Sequence, residues 1–151
     1  MSDIITVRVE HHFKTATAEQ VFDAWTDPAK IRAWNEIALK DFGMPADITT
    51  IEVDVREGGA FLFADIRDGE ETRCWGTYMT VERPRVLEFT WFATAEEERE
   101  AHSIVRIEIT PKESGCSAAL THEMDAIYAE YEEQTQRGWS TTLAAIDNLT
   151  R

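Results

Sequence analysis

The chain has 151 residues, 43% of them apolar, with a formal net charge of -14 and 2 cysteines. That is one domain's length with enough apolar residues for a core, and a charge that excludes nucleic acid and anionic lipid as partners, since their phosphates need clustered Lys and Arg. No apolar run is long enough for membrane insertion and no signal-peptide pattern is present, so a single cytoplasmic domain over residues 1–151 is expected.

The chain begins with an alternating segment, ITVRVEHHF (Ile5–Phe13), which reads as a strand. The stretch ATAEQVFDAWTDPAKIRAW follows (Ala16–Trp34). Thr17 and Gln20 have the spacing of a capping box, and Val21, Phe22 and Trp25 then share one helical face. Asp27-Pro28 starts a second helix, because Asp caps and Pro is tolerated at the first helical position. Ile31 and Trp34 share its inner face. Two helices, each under about three turns, are expected, and helices that short need an apolar surface to lie on.

Six strand-like segments supply that surface: ITTIEVDVR, GAFLFADIR, TRCWGTYMTV, RVLEFTWF, HSIVRIEIT and CSAALTHEM. Asp68-Gly69, Arg83-Pro84 and Lys112 to Gly115 separate neighbours, which makes an antiparallel meander the economical topology. With Asp68-Gly69 and Arg83-Pro84 as two-residue loops, Phe63 faces Cys74, Phe61 faces Gly76, Tyr78 faces Phe89 and Gly76 faces Trp91. Setting Ile107 opposite Leu120 places Val105 opposite His122 and Ile109 opposite Ala118. The inner face then carries Phe61, Phe63, Leu87, Phe89, Trp91, Val105, Ile107, Ile109, Ala118 and Leu120; a slip of one residue would invert it. The outer face is polar except for Trp75, Met79 and Phe92, read either as cross-strand stiffening or as a homodimer patch. The acidic run Ala95–Ala101 reads as a solvated loop. Cys74 and Cys116 lie on strands with two others between them, beyond disulfide reach, and read as small buried apolar residues.

From Ala126 the apolar period becomes helical: Tyr128, Tyr131, Thr135, Trp139, Thr142, Leu143, Ile146 and Leu149 return to one side over about six turns. Gly138 interrupts this helix, as a weak spot, a kink, or a place for another element to approach. A sheet with one apolar face must be covered, and this helix is the natural cover.

The order of elements is similar to the helix-grip fold of the START/Bet v 1-like (SRPBCC) superfamily. The motifs AEQVFDAWTDPAKIRAW, GGAF (Gly58–Phe61), GTYMTVERPRVLEFTW (Gly76–Trp91) and Gly138-Trp139 in the last helix resemble, in that order, those of its AHSA1-like branch, named after the activator of Hsp90 ATPase. The resemblance implies an α+β helix-grip fold: a curved antiparallel seven-stranded sheet wrapped on a long C-terminal helix, with two short helices after the first strand. It also implies a cavity between sheet and long helix that takes a small apolar molecule. Walls are then expected from Phe61, Phe63, Tyr78, Phe89, Trp91, Val105, Ile107, Leu120, His122, Trp139 and Leu143, with Trp25 and Trp34 as a gate. The same aromatics could instead simply fill the space.

Chemistry is sparse. The proposed inner face carries Asp65, Tyr78, Ser103 and His122, and of these His122 alone is a candidate acid or base; the alternative is an imidazole satisfied by a neighbouring hydroxyl or carbonyl. Asp65 reads as solvated and Ser103 as too near a loop. His11 and His12 lack partners at metal-ligand spacing, and no phosphate loop or nucleophile elbow occurs, so neither metal nor cofactor is expected. The primary reading is a binder of a small hydrophobic or aromatic ligand. The alternatives are a protein-interaction module with a chaperone partner, by family analogy alone, and a polyketide-cyclase-like enzyme using His122.

Overall fold

The computed structural model describes residues 3–151. Strand β1 (Ile4–Phe13) is followed by helices α1 (Ala18–Thr26) and α2 (Pro28–Asp41). Strands β2 (Ile48–Val53), β3 (Ala60–Arg67), β4 (Glu70–Glu82) and β5 (Val86–Thr90) come next, then helix α3 (Ala95–Glu100), β6 (Ser103–Pro111) and β7 (Cys116–Asp125). A 3-10 segment (Ala126–Tyr131) leads into α4 (Glu132–Thr150). The strands form one antiparallel sheet in the order β1-β7-β6-β5-β4-β3-β2. From β2 to β7 it is a meander, and β1 closes the far edge beside β7. This is the expected helix-grip architecture.

The local signals at the first two helices operate as read. Thr17 Oγ1 accepts from the Gln20 amide while the Gln20 side chain accepts from the Thr17 amide, closing a capping box. Asp27 caps α2 through the Ala29 amide, with Pro28 in its first turn. α2 is longer than expected: its 14 residues make nearly four turns. The reason lies beyond Trp34, where Ala38 continues the buried face set by Ile31 and Trp34.

The inner-face register is as derived, including Phe61 opposite Gly76, Ile107 opposite Leu120 and Val105 opposite His122. The β4–β5 turn holds three residues rather than two, since Glu82 pairs with Val86. A bulge at Met79 absorbs the extra residue, so Tyr78 still faces Phe89. Gly76 is required here: a Cβ would lie 1.9 Å from the Thr90 carbonyl oxygen and 2.9 Å from the Phe61 ring.

Other expectations change as well. The acidic run is helix α3, not a loop: Thr94 Oγ1 accepts from the Glu97 amide, and Glu96, Glu97 and Glu98 sit in the first turn, where the helix dipole favours negative charge. The last helix is shorter than six turns, because its first part is 3-10 and Tyr131 stays exposed. Asp65 is largely shielded and accepts from Arg67 at 2.7 Å, so it is not simply solvated.

The core lies on the concave face of the sheet. α4 packs against β1 and α2, α2 reaches β2, and α1 touches α2, α4 and β6. Arg83 of the β4–β5 turn donates to both carboxylate oxygens of Asp23, at 3.0 and 3.1 Å, fastening α1 to one end of the sheet. On the convex face the Trp75 indole donates to Glu98 of α3 at 2.9 Å and Phe92 is buried. Of the proposed patch only Met79 stands exposed. Both cysteines are free; Cys116 is buried and Cys74 only half-buried.

Candidate functional site

Where β5 ends and β6 begins, a cavity of about 890 Å3 opens between sheet, α2 and the first half of α4. That volume is in the range of small-molecule sites. α2 and the residues after it contribute Trp34, Ala38, Leu39, Phe42 and Met44. The sheet side contributes Trp91, Ser103, His122 and Met124. From α4 come Thr135, Gly138, Trp139 and Thr142, whose spacing puts them on one helical face. Arg67, Glu97, His102 and Arg137 add charge or polarity around the space. Among the described residues the exposed large apolar side chains are Ile4, Phe42, Met44, Met79, Ile127 and Tyr131, and three of them, Phe42, Met44 and Tyr131, border this cavity.

Gly138 does not admit another element. A Cβ built on it meets nothing within 4 Å, and the residue borders the cavity. Here a missing side chain leaves empty volume.

Three polar side chains are joined inside the wall. The Trp139 indole donates to His122 Nδ1 at 3.0 Å, and His122 Nε2 lies 2.8 Å from Ser103 Oγ. An indole N–H can only donate, so Nδ1 must carry its lone pair. The ring's proton is therefore on Nε2, which donates to Ser103. Burial, and then the neighbouring His102, lower the His122 pKa to about 4, which agrees with a neutral ring. His102 itself is paired with Glu123 at 3.0 Å. His122 thus has no free lone pair with which to take a proton from Ser103 or from a bound molecule.

The expected wall residues divide into three groups. Trp34, Trp91, His122 and Trp139 border the large cavity. Trp25, Phe61, Phe63, Tyr78 and Phe89 border a separate void of about 10 Å3, no larger than one water molecule. Val105, Ile107, Leu120 and Leu143 are fully buried and border neither space. Trp25 sits where the two ends meet, with ring centroids 5.3 Å from Trp34, 6.3 Å from Trp139 and 6.4 Å from Phe89. Its buried Nε1 has no hydrogen-bond partner among the described residues.

Sequence reasoning missed Ala38, Leu39, Phe42 and Met44 because it ended α2 early. The recurrence of apolar residues after Trp34 was the available signal. Ser103, set aside as a loop residue, is the first residue of β6 and is 9% exposed.

Among the described residues no helix is long and apolar enough to cross a membrane. A search of curated proteins gives no match. Among solved structures the chain is similar to the protein of unknown function SA2116 from Staphylococcus aureus, at 20% identity and a TM-score of 0.76, covering 99% of this chain and 97% of that one. It is similar to CV1439 from Chromobacterium violaceum at 21% identity and a TM-score of 0.76, covering 96% of each chain. NE0264 from Nitrosomonas europaea shares 19% identity with a TM-score of 0.75, covering 96% of this chain and 93% of that one. At these identities the likeness is one of fold. The family model described as activator of Hsp90 ATPase homolog 1-like protein matches residues 15–151, which takes in both helices, the meander and α4. The chain belongs to the family of activator of Hsp90 ATPase homolog 1-like proteins.

Proposed function

We propose that the protein binds a small hydrophobic or aromatic molecule in the cavity between the sheet, α2 and the first half of α4, acting as a binder in the cytoplasm. The observation that carries this reading is the volume of about 890 Å3 behind a rim that includes the exposed Phe42, Met44 and Tyr131. Exposed apolar side chains cost little when scattered, but grouped around a concavity they favour an apolar occupant. The proposed wall is Trp34, Leu39, Trp91, Met124 and Trp139, with Ser103 and His122 as its polar part.

The alternatives have less behind them. Catalysis by His122 needs a free basic nitrogen, and both ring nitrogens are engaged. The chaperone-regulator reading rests on the family's description alone.

The test is titration with N-phenyl-1-naphthylamine, a neutral apolar fluorophore. The wild type should bind one equivalent. Gly138→Phe, which fills the open space beside α4, should abolish binding while leaving the circular dichroism spectrum unchanged. Equal binding by a folded Gly138→Phe variant would place the fluorophore elsewhere and overturn the proposal.

A further inference from the structure

We infer that Ser103 is the specificity-determining hydrogen-bond donor of this cavity, and that the occupant presents to it a neutral acceptor oxygen of the carbonyl class. This rests on the binding reading above and narrows the ligand it would take.

The inference follows from proton placement along the trio. Trp139 donates to His122 Nδ1, and His122 Nε2–H donates to Ser103 Oγ. Each member after the first therefore accepts a hydrogen bond from the one before it. The Ser103 hydroxyl proton cannot point back at His122, since that nitrogen already carries a hydrogen. Among the described residues Ser103 Oγ has no second hydrogen-bond partner, and the residue borders the cavity. A hydroxyl on a residue only 9% exposed, whose proton has no acceptor among the described residues, is a donor held ready for an occupant. Polarisation along the chain strengthens that donor, because Oγ is itself accepting.

The charge state of the acceptor follows from the same trio. Its three members are neutral when so arranged, and none supplies a positive charge. Burying a carboxylate against them would cost its desolvation without an ion pair from the trio, and of the two arginines that border the cavity Arg67 is already paired with Asp65 and Arg137 is exposed. A ketone, lactone, ester or quinone oxygen has no such cost and accepts the one proton offered. Trp139 also borders the cavity, with its ring 5.2 Å from Trp91 and 5.9 Å from His122, so the side chain that orients the trio also forms apolar wall. Trp139 and His122 are thus positioning residues for Ser103.

The experiment compares two fluorescent probes on the intact chain. One is the ketone 6-propionyl-2-(dimethylamino)naphthalene, whose emission moves to the red when its carbonyl accepts a hydrogen bond. The other, 2-(dimethylamino)naphthalene, lacks the ketone. Ser103→Ala should weaken the ketone about fivefold, the worth of one hydrogen bond of roughly 1 kcal/mol, and shift its bound emission to the blue. The ketone-free probe should bind this variant as it binds the wild type. Ser103→Thr, which keeps a hydroxyl, should preserve ketone affinity and emission. Trp139→Phe removes the indole N–H, lets His122 carry its proton on Nδ1, and turns the Ser103 proton back onto Nε2; the ketone should lose its red shift there too. If Ser103→Ala changes neither ketone affinity nor emission, or weakens both probes equally, the role given to Ser103 is wrong while the cavity remains a binding site. If neither probe binds the wild type, the binding reading fails and this inference goes with it.

Discussion

The two ends of the interior are built from the same kind of residue and pack differently. At one end Trp25, Phe61, Phe63, Tyr78 and Phe89 surround about 10 Å3. At the other, Trp34, Trp91 and Trp139 stand around about 890 Å3. Aromatic content does not separate them. The small residues do: Ala38, Ala93, Ala101, Ser103 and Gly138 all border the open end, whereas the closed end is lined by Leu87 and large rings alone. α1, fastened by Asp23 to Arg83, covers the closed end. α4 opens with a 3-10 segment and an exposed Tyr131, and its cavity face has no side chain at Gly138. In this fold a binding wall is marked by what is missing beside the aromatics.

The contrast can be broken by deletion. Phe89→Ala at the closed end should lose about 3–5 kcal/mol in urea unfolding, because tightly packed neighbours relax little around a new void. Leu39→Ala at the open end should lose about 2 kcal/mol, since part of its surface already faces empty space. Equal losses would mean that the two ends are equally packed in solution.

The next largest effect is on pH dependence. His122 titrates near 6.5 when unfolded and near 4 when folded, chiefly through burial. Above pH 6.5 both states are neutral and the group contributes no slope. As pH falls through 6.5 the unfolded chain takes up a proton that the folded one refuses, so stability should drop until about pH 4, by on the order of 3 kcal/mol. Unfolding curves of wild type and His122→Gln should diverge across that window. Parallel curves would show that His122 does not titrate as a buried neutral ring.

Trp139→Phe should cost about 1–3 kcal/mol by leaving one ring nitrogen of His122 unpaired, and should move the His122 proton from Nε2 to Nδ1, read from the ring nitrogen shifts by NMR, as Ser103 turns to donate to Nε2. An unchanged tautomer would break the assigned proton order. The smallest effect has the opposite sign. Gly138→Ala should stabilise the protein by about 1 kcal/mol, since α4 gains helix propensity and the new methyl meets no atom. A loss of stability there would show that the space beside α4 is closed in solution.

Much of the fold was legible because its signals are local. The Thr17–Gln20 capping box, Asp27-Pro28 and the alternation of the strands fix elements and faces within a few residues. The Tyr78–Phe89 pairing was right for an incomplete reason, since a longer turn and the Met79 bulge cancel. Helix α3 was readable from Thr94 and Glu97 but was masked by its charge.

The site was less legible. Sequence by itself determined which side chains face inward, because strand and helix periods are properties of the backbone. Only the tertiary structure decided which inward residues are filling and which are wall, because that depends on how far α4 and α2 stand from the sheet. The link from Trp139 through His122 to Ser103 likewise joins α4 to β7 and β6, and it exists only once those elements meet.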